Sequence, residues 1–113
     1  MAMNPPWLVT PAKVKKAVAK IIRIARPRKV ILFGSYVRGK IGWNSDLDVL
    51  VVAPNSVKNS HDESVRIRRA LRGIHMPMDI LVISESEFAE FADVPGLIYR
   101  EAVRTGEIVY QAA

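Results

Sequence analysis

Three aspartates stand where a strand-forming chain should avoid them. Asp46 and Asp48 occupy the entrance to the apolar run LDVLVVA, and Asp79 the entrance to a second run, MDILVI. Asp is disfavoured in strands, and a carboxylate among apolar residues is costly unless it is paired, solvated or metal-bound. In an extended segment residues 46 and 48 project to one side, ~6 to 7 Å apart along the chain. Like charges that close call for a counter-cation. If the two runs pair as neighbours, the acids converge at one end of a sheet and form a site for hard cations. Mg²⁺ takes oxygen ligands and completes its shell with water and substrate phosphates; two such ions clamp the attacking and leaving oxygens of a phosphoryl or nucleotidyl transfer. The bland alternative makes Asp46 a turn residue and Asp48 or Asp79 the partner of a nearby arginine.

Gly34 and Ser35 directly follow another apolar run, KVILF. There, missing side-chain bulk lets backbone N–H groups approach a phosphate, and a hydroxyl adds one more hydrogen bond. Arg38 is placed to meet phosphate oxygens, with a plain surface role as its alternative. Ser45, just before Asp46, is a further candidate for the nucleotide site and otherwise a turn or cap residue. Residues 1 to 45 hold ten Lys or Arg and no Asp or Glu, within a formal net charge of +6. A basic half leading into an acidic pair suits a polyanionic ligand: a nucleoside triphosphate, a nucleic acid or an acidic protein. Lys13, Lys15, Lys16, Lys20 and Arg23 read as a solvated helix face.

The elements that must hold these residues follow from pattern and punctuation. Thr10 before Pro11 starts a helix carried by Val14, Ala17, Val18, Ile21, Ile22 and Ala25, and Pro27 stops it. Lys29 to Phe33 and Leu47 to Ala53 are strands, the second apolar on both faces. Ser60 with Glu63 forms a capping box for a helix with Ile67, Ala70, Leu71 and Ile74 on one face and Arg66, Arg68, Arg69 and Arg72 outward. Met78 to Ile83 is a third strand. Ser84 with Glu87 caps a short helix bearing Phe88 and Phe91, Pro95 opens another that runs to Thr105, and Gly106 ends it before a short edge strand at Ile108 to Tyr110. The sum is one domain over residues 1–113, α+β, with a small mixed sheet of three to four strands flanked by helices. With no Cys in the chain there is no disulfide framework or thiolate metal site. MAMNPPWLVT lacks the features of a signal peptide, and no apolar run approaches the ~20 residues of a membrane span, so the expected setting is the cytoplasm.

Gly34-Ser35, then Arg38-Gly39, then Ser45-Asp46-Leu47-Asp48 before an apolar strand resembles the signature of the DNA polymerase β-like nucleotidyltransferase superfamily, in particular its minimal, MNT-type members. Asp79 falls where the third carboxylate of that family is expected, and the ending IYREAVRTGEIVY is similar to the C-terminal pattern of these small proteins. The resemblance spans roughly residues 30 to 110. It implies the nucleotidyltransferase fold and a Mg²⁺-dependent transfer of a nucleoside monophosphate, with ATP the favoured NTP, to an acceptor hydroxyl. Asp46 and Asp48 would bind two metal ions, Asp79 would complete the catalytic metal site or help deprotonate the acceptor, and Gly34 and Ser35 would hold the triphosphate. Tyr36-Val37 and Val49 depart from commoner choices without touching the chemistry.

Larger relatives carry a second, acceptor-binding domain, for which this chain is too short. The resemblance therefore implies another chain as partner: a HEPN protein, with AMP added to a tyrosine of that RNA-cleaving toxin. The doubly apolar strand 47–53 fits an oligomeric or partner interface, since the chain offers few helices to cover a second face. A second hypothesis keeps the fold but makes it a non-catalytic module that neutralises or scaffolds its partner. Nucleic-acid binding by the basic half ranks last, because aromatic and basic residues do not interleave as in a base-stacking platform. His61 and His75 lack ligand spacing and read as a helix-start and a loop residue. Trp7 reads as a packing anchor, Phe88 and Phe91 as core, and Tyr99 and Arg100 as structural; Trp43 is open, beside the proposed site.

Overall fold

The structure is a computed structural model that describes residues 5–40 and 45–113; Trp43 lies outside the described residues. Four helices and four strands follow in the order α1 (Pro11–Ala25), β1 (Lys29–Phe33), β2 (Leu47–Ala53), α2 (Ser60–Ala70), β3 (Met78–Ser84), α3 (Glu85–Phe91), α4 (Ile98–Thr105) and β4 (Glu107–Gln111). The strands form one sheet in the order β3-β2-β1-β4. β1 pairs antiparallel with β2 and with β4, whereas β2 and β3 run parallel. A parallel pair cannot be closed by a tight turn, which is why α2 intervenes as the crossover. The expected mixed α+β sheet is thus present with all four strands.

Alternation along the strands sorts side chains into two cores. Val30, Leu32, Leu47, Val49, Val51 and Ile80 pack on one face against Val14, Ala17 and Ile21 of α1 and Ile67 of α2. Ile31, Phe33, Leu50, Val52 and Ile83 pack on the other, beneath Ala102 of α4 with Phe88, Phe91 and Tyr99 around them. β2 is therefore buried on both faces within the chain. The anticipated shortage of covering helices does not arise, because two short helices with three aromatic rings fill the second face; the Phe91 and Tyr99 rings stack at 6.3 Å.

Local chemistry explains most boundaries. Thr10 caps α1 through the Lys13 N–H, and Arg26 leaves the helix in the left-handed region at φ 44°, ahead of Pro27. Ser84 caps α3 through the Glu87 N–H, as its spacing to Glu87 predicts. At α2 the cap is one residue earlier than expected. Asn59 accepts from the Asp62 N–H, which leaves Ser60 inside the helix. Glu63, freed from capping, is only 8% exposed and takes two bonds from Arg66, at 2.7 and 2.9 Å. Arg66 also donates to the Ile24 carbonyl, so this arginine ties α2 to the end of α1 rather than simply facing solvent. Lys13 and Lys20 likewise depart from the solvated-face reading. Lys13 Nζ gathers the carbonyls of Pro6, Leu8 and His75, and Lys20 Nζ reaches that of Ala70. Trp7, expected as an anchor, is 49% exposed. The helix expected from Pro95 begins at Ile98, after a turn in which Gly96 holds φ +85°.

Candidate active site

Parity places the acids. Asp48 shares its side of β2 with Leu50 and Val52, so its carboxylate belongs to the face covered by α3 and α4. Parallel pairing sets Asp48 opposite Asp79, one on each of two adjoining strands near their N-terminal ends. Strands in a sheet lie ~4.8 Å apart, so the two carboxylates leave neighbouring backbones on the same side. Asp46 precedes β2 by one residue and is exposed. Asp48 is half-buried and its pKa is raised above the ordinary value, first by desolvation, then by the negative fields of Asp79, Asp46 and Glu101; the Arg38 guanidinium pulls the other way. All three acids therefore act on one locality.

The glycine turn is built against the same carboxylate. Antiparallel register pairs Phe33 with Asp48, so the next residue, Gly34, turns directly beside the Asp48 side chain. It does so at φ +78°, and a Cβ at that position would land on Asp48 Oδ2. Glycine is required here twice over, by conformation and by space. Residues 34 to 40 then wind back on themselves: the Arg38 N–H donates to the Gly34 carbonyl, Gly39 to Tyr36, and Lys40 to Ser35. Ser45 Oγ donates to the Lys40 carbonyl at 3.4 Å, which joins the end of this turn to the entrance of β2. Ser35 is partly exposed and Arg38 exposed, next to Gly34 and Asp48.

Two residues enter the site that sequence reasoning did not single out. Glu101 of α4 stands 3.8 Å from Arg38 Nη1 and raises the Asp48 pKa, making it a fourth acid in the locality. Its signal lay inside IYREAVRT, where it is adjacent to Ala102, the residue α4 buries. Arg68 of α2 approaches Asp79 Oδ1 to 3.5 Å and donates to the Ile80 carbonyl at 3.2 Å. Following Ile67, which faces the core, Arg68 is turned by one helical step of ~100° toward the edge of β3.

The donor chemistry fits a hard cation: several carboxylates whose mutual repulsion an added positive charge would relieve, and among the described residues no thiolate beside them. The carboxylates are not closed on a common point, however. Among the described residues no three Asp, Glu or His side chains are grouped tightly enough to hold one ion, and Asp79 is engaged by Arg68. Also among the described residues, no helix is long and apolar enough to cross a membrane.

Comparison with known proteins agrees with this fold. The structure is similar to that of a nucleotidyltransferase candidate from Sulfolobus solfataricus, at TM-score 0.60 and 22% identity, over 88% of this chain and 78% of that one. It is also similar to a toxin-antitoxin structure with AMP-PNP, at TM-score 0.56 and 20% identity, over 87% and 73%. A tyrosine-to-alanine variant of the toxin-antitoxin MntA-HpeT matches at TM-score 0.58 and 16% identity, over 92% and 74%. These likenesses concern the fold. The search of curated proteins gave no match. The model of the nucleotidyltransferase domain matches residues 12–109, from α1 to β4 and through every acid described above, and the chain therefore belongs to the nucleotidyltransferase domain family.

Proposed function

We propose that this chain is a minimal, one-domain nucleotidyltransferase that moves AMP from ATP to a hydroxyl of a protein partner and acts in the cytoplasm as an antitoxin. The favoured acceptor is a tyrosine of a HEPN-type toxin. The observation that carries the reading is the in-register pair Asp48 and Asp79 beside the Gly34 turn, in a chain of this family. The likeness to toxin-antitoxin structures supports the antitoxin role.

In this mechanism the backbone of Gly34 and Ser35, the Ser45 hydroxyl and the Arg38 guanidinium bind the triphosphate. Asp46, Asp48 and Asp79 would hold two Mg²⁺ ions, which supply positive charge to the phosphate oxygens in a two-ion transfer. The acceptor oxygen forms a bond to the α-phosphorus while the bond to pyrophosphate breaks, and pyrophosphate leaves. Asp79, at the outer edge of the sheet and half exposed, would complete the metal site or help take the hydroxyl proton. Glu101 orients Arg38 from the side of α4.

The test is transfer of radiolabel from α-labelled ATP and Mg²⁺ to a co-purified protein. Labelling lost in Asp46→Ala and Asp48→Ala supports the reading, and labelling that persists in both overturns it. A second reading, a non-catalytic module that neutralises or scaffolds its partner, is favoured by the Arg68 contact that engages Asp79. Under it, neutralisation survives both substitutions and complex formation needs no nucleotide.

A further inference from the structure

Arg68 is the one cation fixed to the outer acid of the cluster among the described residues. Its Nη2 sits 3.2 Å from the Ile80 carbonyl, an acceptor on the edge strand β3, and 3.5 Å from Asp79 Oδ1. The carbonyl bond holds the guanidinium at the sheet edge. The carboxylate contact is longer, and both side chains are about half exposed, at 52% and 51%. The arginine is thus anchored through backbone and only loosely through Asp79. Four acids crowd one locality, yet among the described residues no three of them converge on a point, and the one on the edge strand faces this arginine.

We propose that Arg68 is a displaceable internal counter-ion: it occupies Asp79 in the ion-free protein and yields that carboxylate when a divalent cation enters. The inference rests on the reading of the acids as a metal site and adds a residue to it. Guanidinium and metal ion compete for the same Oδ1, since the arginine engages one of that oxygen's lone pairs and its positive charge opposes the approach of a second cation. Displacement leaves the bond to the Ile80 carbonyl in place, so Arg68 remains beside the site and does not have to refold α2. Arg68 is a positioning residue here, acting through Asp79.

The test measures Mn²⁺ binding to the full chain by electron paramagnetic resonance of the free ion, without nucleotide. Arg68→Gln, which keeps a polar side chain but no charge, is expected to bind Mn²⁺ about two- to fivefold more tightly, the range set by an exposed ion pair. Arg68→Lys, which keeps the charge and folds under the same constraints, is expected to stay within twofold of the unaltered protein. In an Asp79→Asn background the Arg68→Gln change should have no effect. Unchanged or weaker Mn²⁺ binding in Arg68→Gln overturns the inference, as does an increase that persists in Asp79→Asn. If neither the unaltered chain nor any variant binds Mn²⁺, even with a non-hydrolysable ATP analogue, the metal-site reading itself fails. An intact ion site indifferent to Arg68 sinks only the role given to Arg68.

Discussion

At Gly34 a missing methyl group is the condition for an acid to stand where it does. Its left-handed φ and the position of Asp48 Oδ2 leave no room for a Cβ. Gly34→Ala is expected to lose about 2 kcal/mol of stability, from strain at positive φ, and to abolish nucleotide transfer; thermal melting and the labelling assay measure the two. Asp48 itself is expected to behave oppositely in the two assays. Its pKa is raised in the folded protein, so the native state holds this proton more tightly than the unfolded chain. Stability that is present at low pH is therefore lost as pH rises through the interval from the unfolded to the raised folded value. Asp48→Asn should flatten that decline and raise the melting temperature at neutral pH while eliminating transfer, and added Mg²⁺ should shrink the difference. A melting temperature that falls in Asp48→Asn would contradict the crowding of charge described here. At this scale the sequence was informative where residue type clashed with context. Three aspartates in apolar runs stood out, whereas Arg68 and Glu101 looked like ordinary helix-surface charges, because their meaning depends on a sheet edge and a helix placement that no local pattern encodes.

α4 illustrates what an element contributes. It buries only Ala102 yet presents Glu101 to Arg38, and Gly106 fixes where it ends. An added Cβ on Gly106 would run into the Ala102 carbonyl and lie 2.7 Å from the Leu32 carbonyl. Gly106→Ala is thus expected to push α4 from β1 and to lower both melting temperature and nucleotide affinity, read by calorimetry and by fluorescent ATP titration. Ser84→Ala offers a milder comparison. Loss of the α3 cap should cost about 1 kcal/mol with transfer per folded molecule unchanged, since α3 starts at the end of β3 opposite to Asp79. Element boundaries were legible wherever a cap or a breaker spoke for itself, as at Thr10, Ser84 and Gly106. They slipped at α2, where Asn59 and Ser60 are both competent caps and tertiary packing of Glu63 decided between them. They slipped again at α4, where Pro95 marked a turn three residues before the helix.

For the whole molecule, the sheet between two helical layers accounts for both stability and the location of the acids. A ligand that binds only the native state stabilises it by mass action, about 2.7 kcal/mol at a hundredfold excess over its Kd. Mg²⁺ with a non-hydrolysable ATP analogue should accordingly raise the melting temperature by several degrees, and Asp46→Ala together with Asp48→Ala should abolish that shift. The layer arrangement was readable from alternation only in part. A doubly apolar β2 announced burial on both sides, but whether a partner or this chain supplied the second cover depended on how far three aromatic side chains reach. That alternation has a consequence for how the chain finds its native pairing. Even-numbered positions of β2 carry Asp48 with Leu50 and Val52, and odd-numbered ones fill the layer under α1 and α2. A slip of β2 by one residue against its neighbours would thrust that carboxylate into greasy surroundings and turn valines toward water. The carboxylate proposed to hold a metal thus also serves as a proofreader of strand alignment, penalising a one-residue slip before any ligand arrives.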